Sequence, residues 1–149
     1  MSKPSERRAA RKYAVQAIYS WQLNHQLPQE IELNFATEHD FKQCDSAYFQ
    51  QLLRGVIDDL DALNDLLKPL MHLPLEEVDP VELAILRMAA FELKTRIDVP
   101  YKVVINEALE QAKVFGATDG HKFVNGVLDK LARQLRSVEI AAMQKSRKE

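Results

Sequence analysis

The chain has 149 residues, 46% of them hydrophobic and 28% charged, with a formal net charge of −2. That length and balance fit one folded domain with a sizeable core and exclude an intrinsically disordered chain. No apolar run approaches the ~20 residues of a membrane span, and a single cysteine, Cys44, excludes an internal disulfide.

In chain order, the first predicted element is a helix over roughly 5–23. Ala10, Ala14, Ala17, Ile18 and Trp21 recur along it at the spacing of an inner face. Its first turns are basic: Lys3, Arg7, Arg8, Arg11 and Lys12 stand against Glu6 alone. Arg7 and Arg11 are four apart, as are Arg8 and Lys12, so the cations share one rim. Cations near a helix N-terminus oppose the macrodipole. A bound polyanion would offset that local cost; the other reading is an ordinary solvated N-terminus. No signal-peptide core is present, so cytoplasmic residence is expected. A short helix after Pro28 would use Ile31 and Phe35. Asp45 and Ser46 can cap a long helix carrying Phe49, Leu53, Val56, Leu60, Leu63 and Leu67. Pro69 and Pro74 interrupt it.

The middle of the chain is acidic. Asp58, Asp59, Asp61, Asp65, Glu76, Glu77, Asp79 and Glu82 face only Lys68 as a counter-charge. Such a run is either a set of solvated helix faces or a surface for a basic partner. The next helix start is well marked, with Asp79 as N-cap, Pro80 as first helical residue and Glu82 as the partner three residues after the cap. The following LAILRMAAFEL is apolar on nearly every side, as for a central helix wrapped by others. Arg87 lies inside it and is expected to be buried against a carboxylate.

Residues 100–130 read as two helices joined by a tight turn. Pro100 suits a first helical turn, and Val104, Ala108 and Ala112 then repeat at helical spacing. Gly116 is expected to take the left-handed conformation that commonly ends a helix. Thr118 or Asp119 can cap the next helix, whose apolar stripe is Val124, Val127, Leu128, Leu131, Leu135 and Val138. Lys113, Phe115, His121, Lys122 and Phe123 crowd the turn. Cations, rings and free N–H groups at a helix N-terminus suit a phosphate and an unstacked base. The plainer reading is two core phenylalanines at a helix junction. Asp119 is dissonant, since it either caps the helix or repels phosphate. Beyond Leu135 the pattern fades, and residues 136–149 are expected to form a polar, frayed tail. No alternating apolar run suggests a strand. The expectation is one all-α domain over residues 1–135.

Catalysis finds little material. His25, His39, His72 and His121 are scattered without zinc or haem spacing, and Cys44 has no nucleophile turn around it. No glycine-rich phosphate loop occurs. No catalytic residue, metal or cofactor is expected.

Three blocks carry a resemblance: AVQAIYSWQ, DPVELAILRMAAFEL and VPYKVVINEALEQAKVFGATDGHKFVNGVLDK. In order and spacing they resemble the NusB family of bacterial transcription antitermination factors, to about Leu131. The resemblance implies an all-helical bundle of about seven helices in two packed halves. It implies binding of single-stranded boxA RNA in ribosomal RNA leader transcripts, together with NusE, a small-subunit ribosomal protein. The pair would join that RNA to the elongating RNA polymerase with other Nus factors. Matching positions imply RNA contacts at Lys3, Arg7, Arg8 and Arg11, and at Asp119, Lys122 and Phe123; Lys113, in the same basic turn, is added to that set. They imply a NusE-facing surface at Tyr19, Glu76 and Glu82. Two departures stand out: Ala9 interrupts the arginine cluster, and Gly120 stands where serine is usual. The alternatives are an RNA-binding domain related to that of ribosomal RNA cytosine methyltransferases and a protein-binding helical scaffold.

Overall fold

The computed structural model describes residues 2–148. Among them the chain forms eight α-helices and no strand. In order these are α1 (Pro4–Asn24), α2 (Pro28–Glu38), α3 (Ser46–Asp58), α4 (Leu60–Leu67), α5 (Pro80–Thr95), α6 (Tyr101–Phe115), α7 (Gly120–Leu135) and α8 (Ser137–Lys148). No helix among the described residues is long and apolar enough to cross a membrane.

The central helix is α5. Twelve of its 16 residues are buried, because α1, α3 and α4 pack on it from the first half of the chain and α6 and α7 from the second. Its start keeps half of the expected capping box: the Asp79 carboxylate accepts from the backbone N–H groups of Val81 and Glu82, but the Glu82 carboxylate lies against Gly120 instead of reaching back to the cap. Helix α1 runs antiparallel to α5. Arg11 near the start of α1 meets Glu92 near the end of α5, and Gln22 near the end of α1 donates to the Pro80 carbonyl. Helix α6 runs alongside α1 in the same direction: Arg8 is bonded to Glu107, midway along α6, and Tyr19, later in α1, shares a groove with Phe115 at the end of α6.

Several expectations are corrected. The long helix after Asp45 is two, because the chain breaks at Asp59; Asp45 does cap the first, accepting from Tyr48 N–H. Pro69 and Pro74 mark two single-turn 3₁₀ segments, Lys68–Leu70 and Leu75–Glu77. Gly116 is extended (φ −85°, ψ 174°), not left-handed. The left-handed residue of this turn is Asp119 (φ 65°), whose side chain caps nothing. A non-glycine residue there carries local strain. Arg87 is buried as expected, but its partners are amides, Asn64 Oδ1 at 3.1 Å and Gln22 Oε1 at 3.0 Å, instead of a carboxylate. Burial without a counter-charge lowers its pKa.

The residues after Leu135, expected to fray, continue as α8. Arg136 anchors the junction. It is 4% exposed and donates to the carbonyls of Glu92, Leu93, Arg96 and Val99 and to Glu139. Glu139 in turn accepts from Tyr101 N–H at the start of α6. Val138, placed by periodicity on the α7 stripe, is 83% exposed, because the chain turns before it.

Candidate nucleic-acid interface

The basic start of α1 separates into residues with different tasks. Lys3 is exposed, just ahead of the helix, with its backbone N–H on Glu6. Arg8 is largely exposed, and its guanidinium forks onto Glu107 of α6 at 3.0–3.2 Å. That carboxylate raises the arginine's pKa further. Arg7 is half-buried, its guanidinium over the Tyr48 ring and its Nε 4.0 Å from Asp45.

Arg11 corrects the sequence reading. It is 3% exposed, and it forks onto Glu92, which also accepts the Tyr48 hydroxyl. A guanidinium buried this deeply on a carboxylate is out of reach of an RNA phosphate. Periodicity could have shown this: Arg11 falls one residue after Ala10 and three before Ala14, on the inner face of α1.

Between the start of α1 and α6 lies a groove of about 770 Å³. Arg8, Ala9 and Lys12 form one wall; Glu107, Gln111 and Val114 lie on the other. Lys12 is exposed; it belongs to the basic rim read from the sequence but not to the RNA contacts that the resemblance implies. Gln111 is 5% exposed and its Oε1 has no hydrogen-bond partner. Ala9 keeps this wall low.

The groove does not reach the aromatic turn directly. It ends at Val114, beside Lys113 and Phe115, which close α6 and lead into the turn. From Glu107 to Phe115 the helix rises about 12 Å. Lys113 and Lys122 are exposed, each in a loose pair with a neighbouring acid, Glu110 at 3.7 Å and Asp119 at 3.4 Å. Pairs this exposed are worth little, so a phosphate can replace the acid. Phe123 is half-buried. One part packs on the core, and the ring meets His72 edge-on at 5.8 Å. With Asp119, Thr118 and Leu73 it lines a second, smaller hollow of about 280 Å³.

The partner-facing set also divides. Tyr19 and Glu76 are exposed. Tyr19 lines a groove with Val15, Phe35, Val81 and Phe115, so α1, α2, α5 and α6 all contribute to it. Glu82 corrects the sequence reading, being only 7% exposed. Its carboxylate lies against Gly120, where a Cβ would come within 2.9 Å of Glu82 Oε2. Glycine at 120 and an inward Glu82 therefore belong together, and a serine there would push the carboxylate out. Burial, and secondarily Asp79, raises the Glu82 pKa above the ordinary carboxylate range.

A model of the NusB family matches residues 8–133. The chain belongs to the NusB family. Among its relatives, the transcription antitermination protein NusB of Hahella chejuensis is 54% identical over 149 residues, which cover 99% of this chain and 100% of that protein. The NusB of Shewanella halifaxensis is 58% identical over 134 residues, 90% of this chain and 99% of that one. The solved structure of T. maritima NusB superposes with a TM-score of 0.76 at 30% identity, covering 89% of this chain and 93% of that one. The fold is thus the all-α NusB bundle, and family membership gives the chain a non-catalytic role in transcription antitermination.

Proposed function

We propose that this chain binds single-stranded boxA RNA of ribosomal RNA leader transcripts, jointly with NusE, and so ties the transcript to the elongating RNA polymerase in the cytoplasm. The observation that carries the RNA reading is the α1–α6 groove. It has cations, Arg8 and Lys12, on one wall and stops at Val114; the exposed Lys113 and the separate hollow lined by the half-buried Phe123 ring lie beyond it, in and after the last turn of α6. An extended strand laid along α6 would meet cations first and a stacking surface last, as single-strand binders require. In this reading Lys3, Arg7, Arg8 and Lys12 meet phosphates, as do Lys113 and Lys122. Phe123 stacks a base, and Asp119 accepts from a base amine or sugar hydroxyl. Arg11 supports the site from inside.

NusE would dock on Tyr19 and Glu76. Glu82 contributes by shaping the turn beside Gly120, not by facing the partner. A basic ribosomal protein suits the acidic segment around Glu76, Glu77 and Asp79. The test is a gel-shift titration with boxA RNA and a scrambled RNA of equal length, each with and without NusE. The expected result is preference for boxA that NusE strengthens. Equal binding of both RNAs would reduce the chain to a generic RNA adaptor, and binding of neither would leave the protein-binding scaffold.

A further inference from the structure

Three guanidinium groups surround the ring of Tyr48 on α3: Arg7 at 4.5 Å from its centroid, Arg96 at 4.9 Å and Arg11 at 5.5 Å. The tyrosine is 2% exposed, and its hydroxyl donates to Glu92. Two of the three cations are committed elsewhere. Arg11 is forked onto Glu92, and Arg96 is forked onto Asp98 at 3.0 Å for both bonds. Arg7 is different. Its Nε is buried without a partner, and its side chain makes no hydrogen bond among the described residues. The nearest carboxylate, Asp45, is 4.0 Å away, while 31% of the Arg7 side chain stays exposed.

An arginine held by a ring face keeps its outer N–H groups for another acceptor, because the ring takes none of them. Arg8, the neighbouring cation, already spends its fork on Glu107. Arg8 keeps its remaining N–H groups for a phosphate, whereas Arg7 makes no side-chain hydrogen bond among the described residues and has its whole donor set in reserve.

We propose that Tyr48 is a positioning residue for RNA: its ring, fixed through Glu92, holds Arg7 with its free N–H edge presented to an RNA phosphate. The inference rests on the RNA reading above and names how one of its contacts is built. Asp45, engaged as the cap of α3, and the exposed Asp98, forked by Arg96, also lie near Arg7, but neither makes a hydrogen bond to it. The sequence gives no sign of this role, since Tyr48 reads as one more core aromatic.

The test uses fluorescence anisotropy with boxA RNA over a range of salt concentrations, with NusE present. The variants are Arg7→Ala, Tyr48→Leu, Tyr48→Phe and the double variant Arg7→Ala with Tyr48→Leu. Circular dichroism verifies folding. Arg7→Ala is expected to weaken binding about tenfold and to flatten the log–log salt slope by about 0.7, one phosphate on a single strand. Tyr48→Leu is expected to do the same, with the double variant no worse than Arg7→Ala alone. Tyr48→Phe, which keeps the ring, is expected to rescue both affinity and slope. Should Tyr48→Leu fail to fold, the Arg7 δ-proton shifts decide. They should be ring-shifted upfield in the wild-type chain and in Tyr48→Phe, and should move on adding RNA. Fully additive losses, an Arg7→Ala variant with unchanged slope, or Arg7 shifts indifferent to RNA would overturn the proposal while the wild-type chain still binds. A wild-type chain that binds no boxA RNA even with NusE would overturn the RNA reading itself.

Discussion

Replacing Arg11 with leucine separates an arginine that holds the fold from one that holds RNA. The Arg11 side chain is 4% exposed and that of Glu92 1%, and they meet at 2.9 Å. Leucine would fill part of the space but strand the Glu92 carboxylate, still joined to the Tyr48 hydroxyl, in the core. Breaking a buried pair in this way costs about 3–5 kcal/mol. For a chain of this length each kcal/mol lowers Tm by about 2–4 °C, so the expected drop is roughly 6–20 °C. Thermal unfolding followed by circular dichroism measures it. Adding Glu92→Gln should return part of the loss, because the amide still accepts from Tyr48 without a charge. The salt slope of RNA binding, taken well below the transition, should stay at the wild-type value, since no phosphate contact is removed. A Tm within about 2 °C of wild type, together with a slope reduced by about 0.7, would refute the reasoning and return Arg11 to the RNA surface.

Three further outcomes are expected. Gly55→Ala would place a methyl group 2.2 Å from Phe91 Cε1. The overpacking cost of about 1–3 kcal/mol should exceed the ~1 kcal/mol gained in helix propensity, and a urea midpoint equal to or above wild type would contradict it. Glu82→Gln tests the buried carboxyl by pH. Because the folded pKa of Glu82 is raised, its protonated form is the better tolerated; stability is fully present below the unfolded value of about 4.3 and falls as pH rises through the folded value. The variant should therefore gain on wild type between about pH 4 and neutrality, and parallel stability curves would count against it. Phe123→Ala should weaken boxA binding by about 1–3 kcal/mol if the ring stacks a base; unchanged affinity with the fold intact would remove Phe123 from the site.

Much of this molecule was legible because local rules and tertiary packing agree. The Asp79–Pro80 start, the inner face of α1 and the apolar surround of α5 follow from capping chemistry and periodicity, and the structure keeps all three. The failures have physical causes. Apolar spacing continues smoothly from Phe49 to Leu67, so nothing in it marks the break at Asp59. The turn after α6 was assigned its left-handed residue by the glycine rule, whereas the chain strains Asp119 instead. Charge patterning treated Arg7, Arg8 and Arg11 alike, but their partners come from three distant segments, at Tyr48, Glu107 and Glu92. No local pattern carries that information. The same limit hid Tyr48, whose role depends on which cations the fold brings to its ring.

The most direct measurement is backbone and side-chain NMR of the isotope-labelled chain titrated with boxA RNA in the presence of unlabelled NusE. The account predicts RNA-dependent shift changes in one connected band, from Arg7, Arg8 and Lys12 along Gln111 and Lys113 to Lys122 and Phe123, with the buried Arg11 guanidinium still bonded to Glu92. Changes confined to α2–α4, or two separate bands with α6 untouched between them, would contradict a single strand lying along that helix.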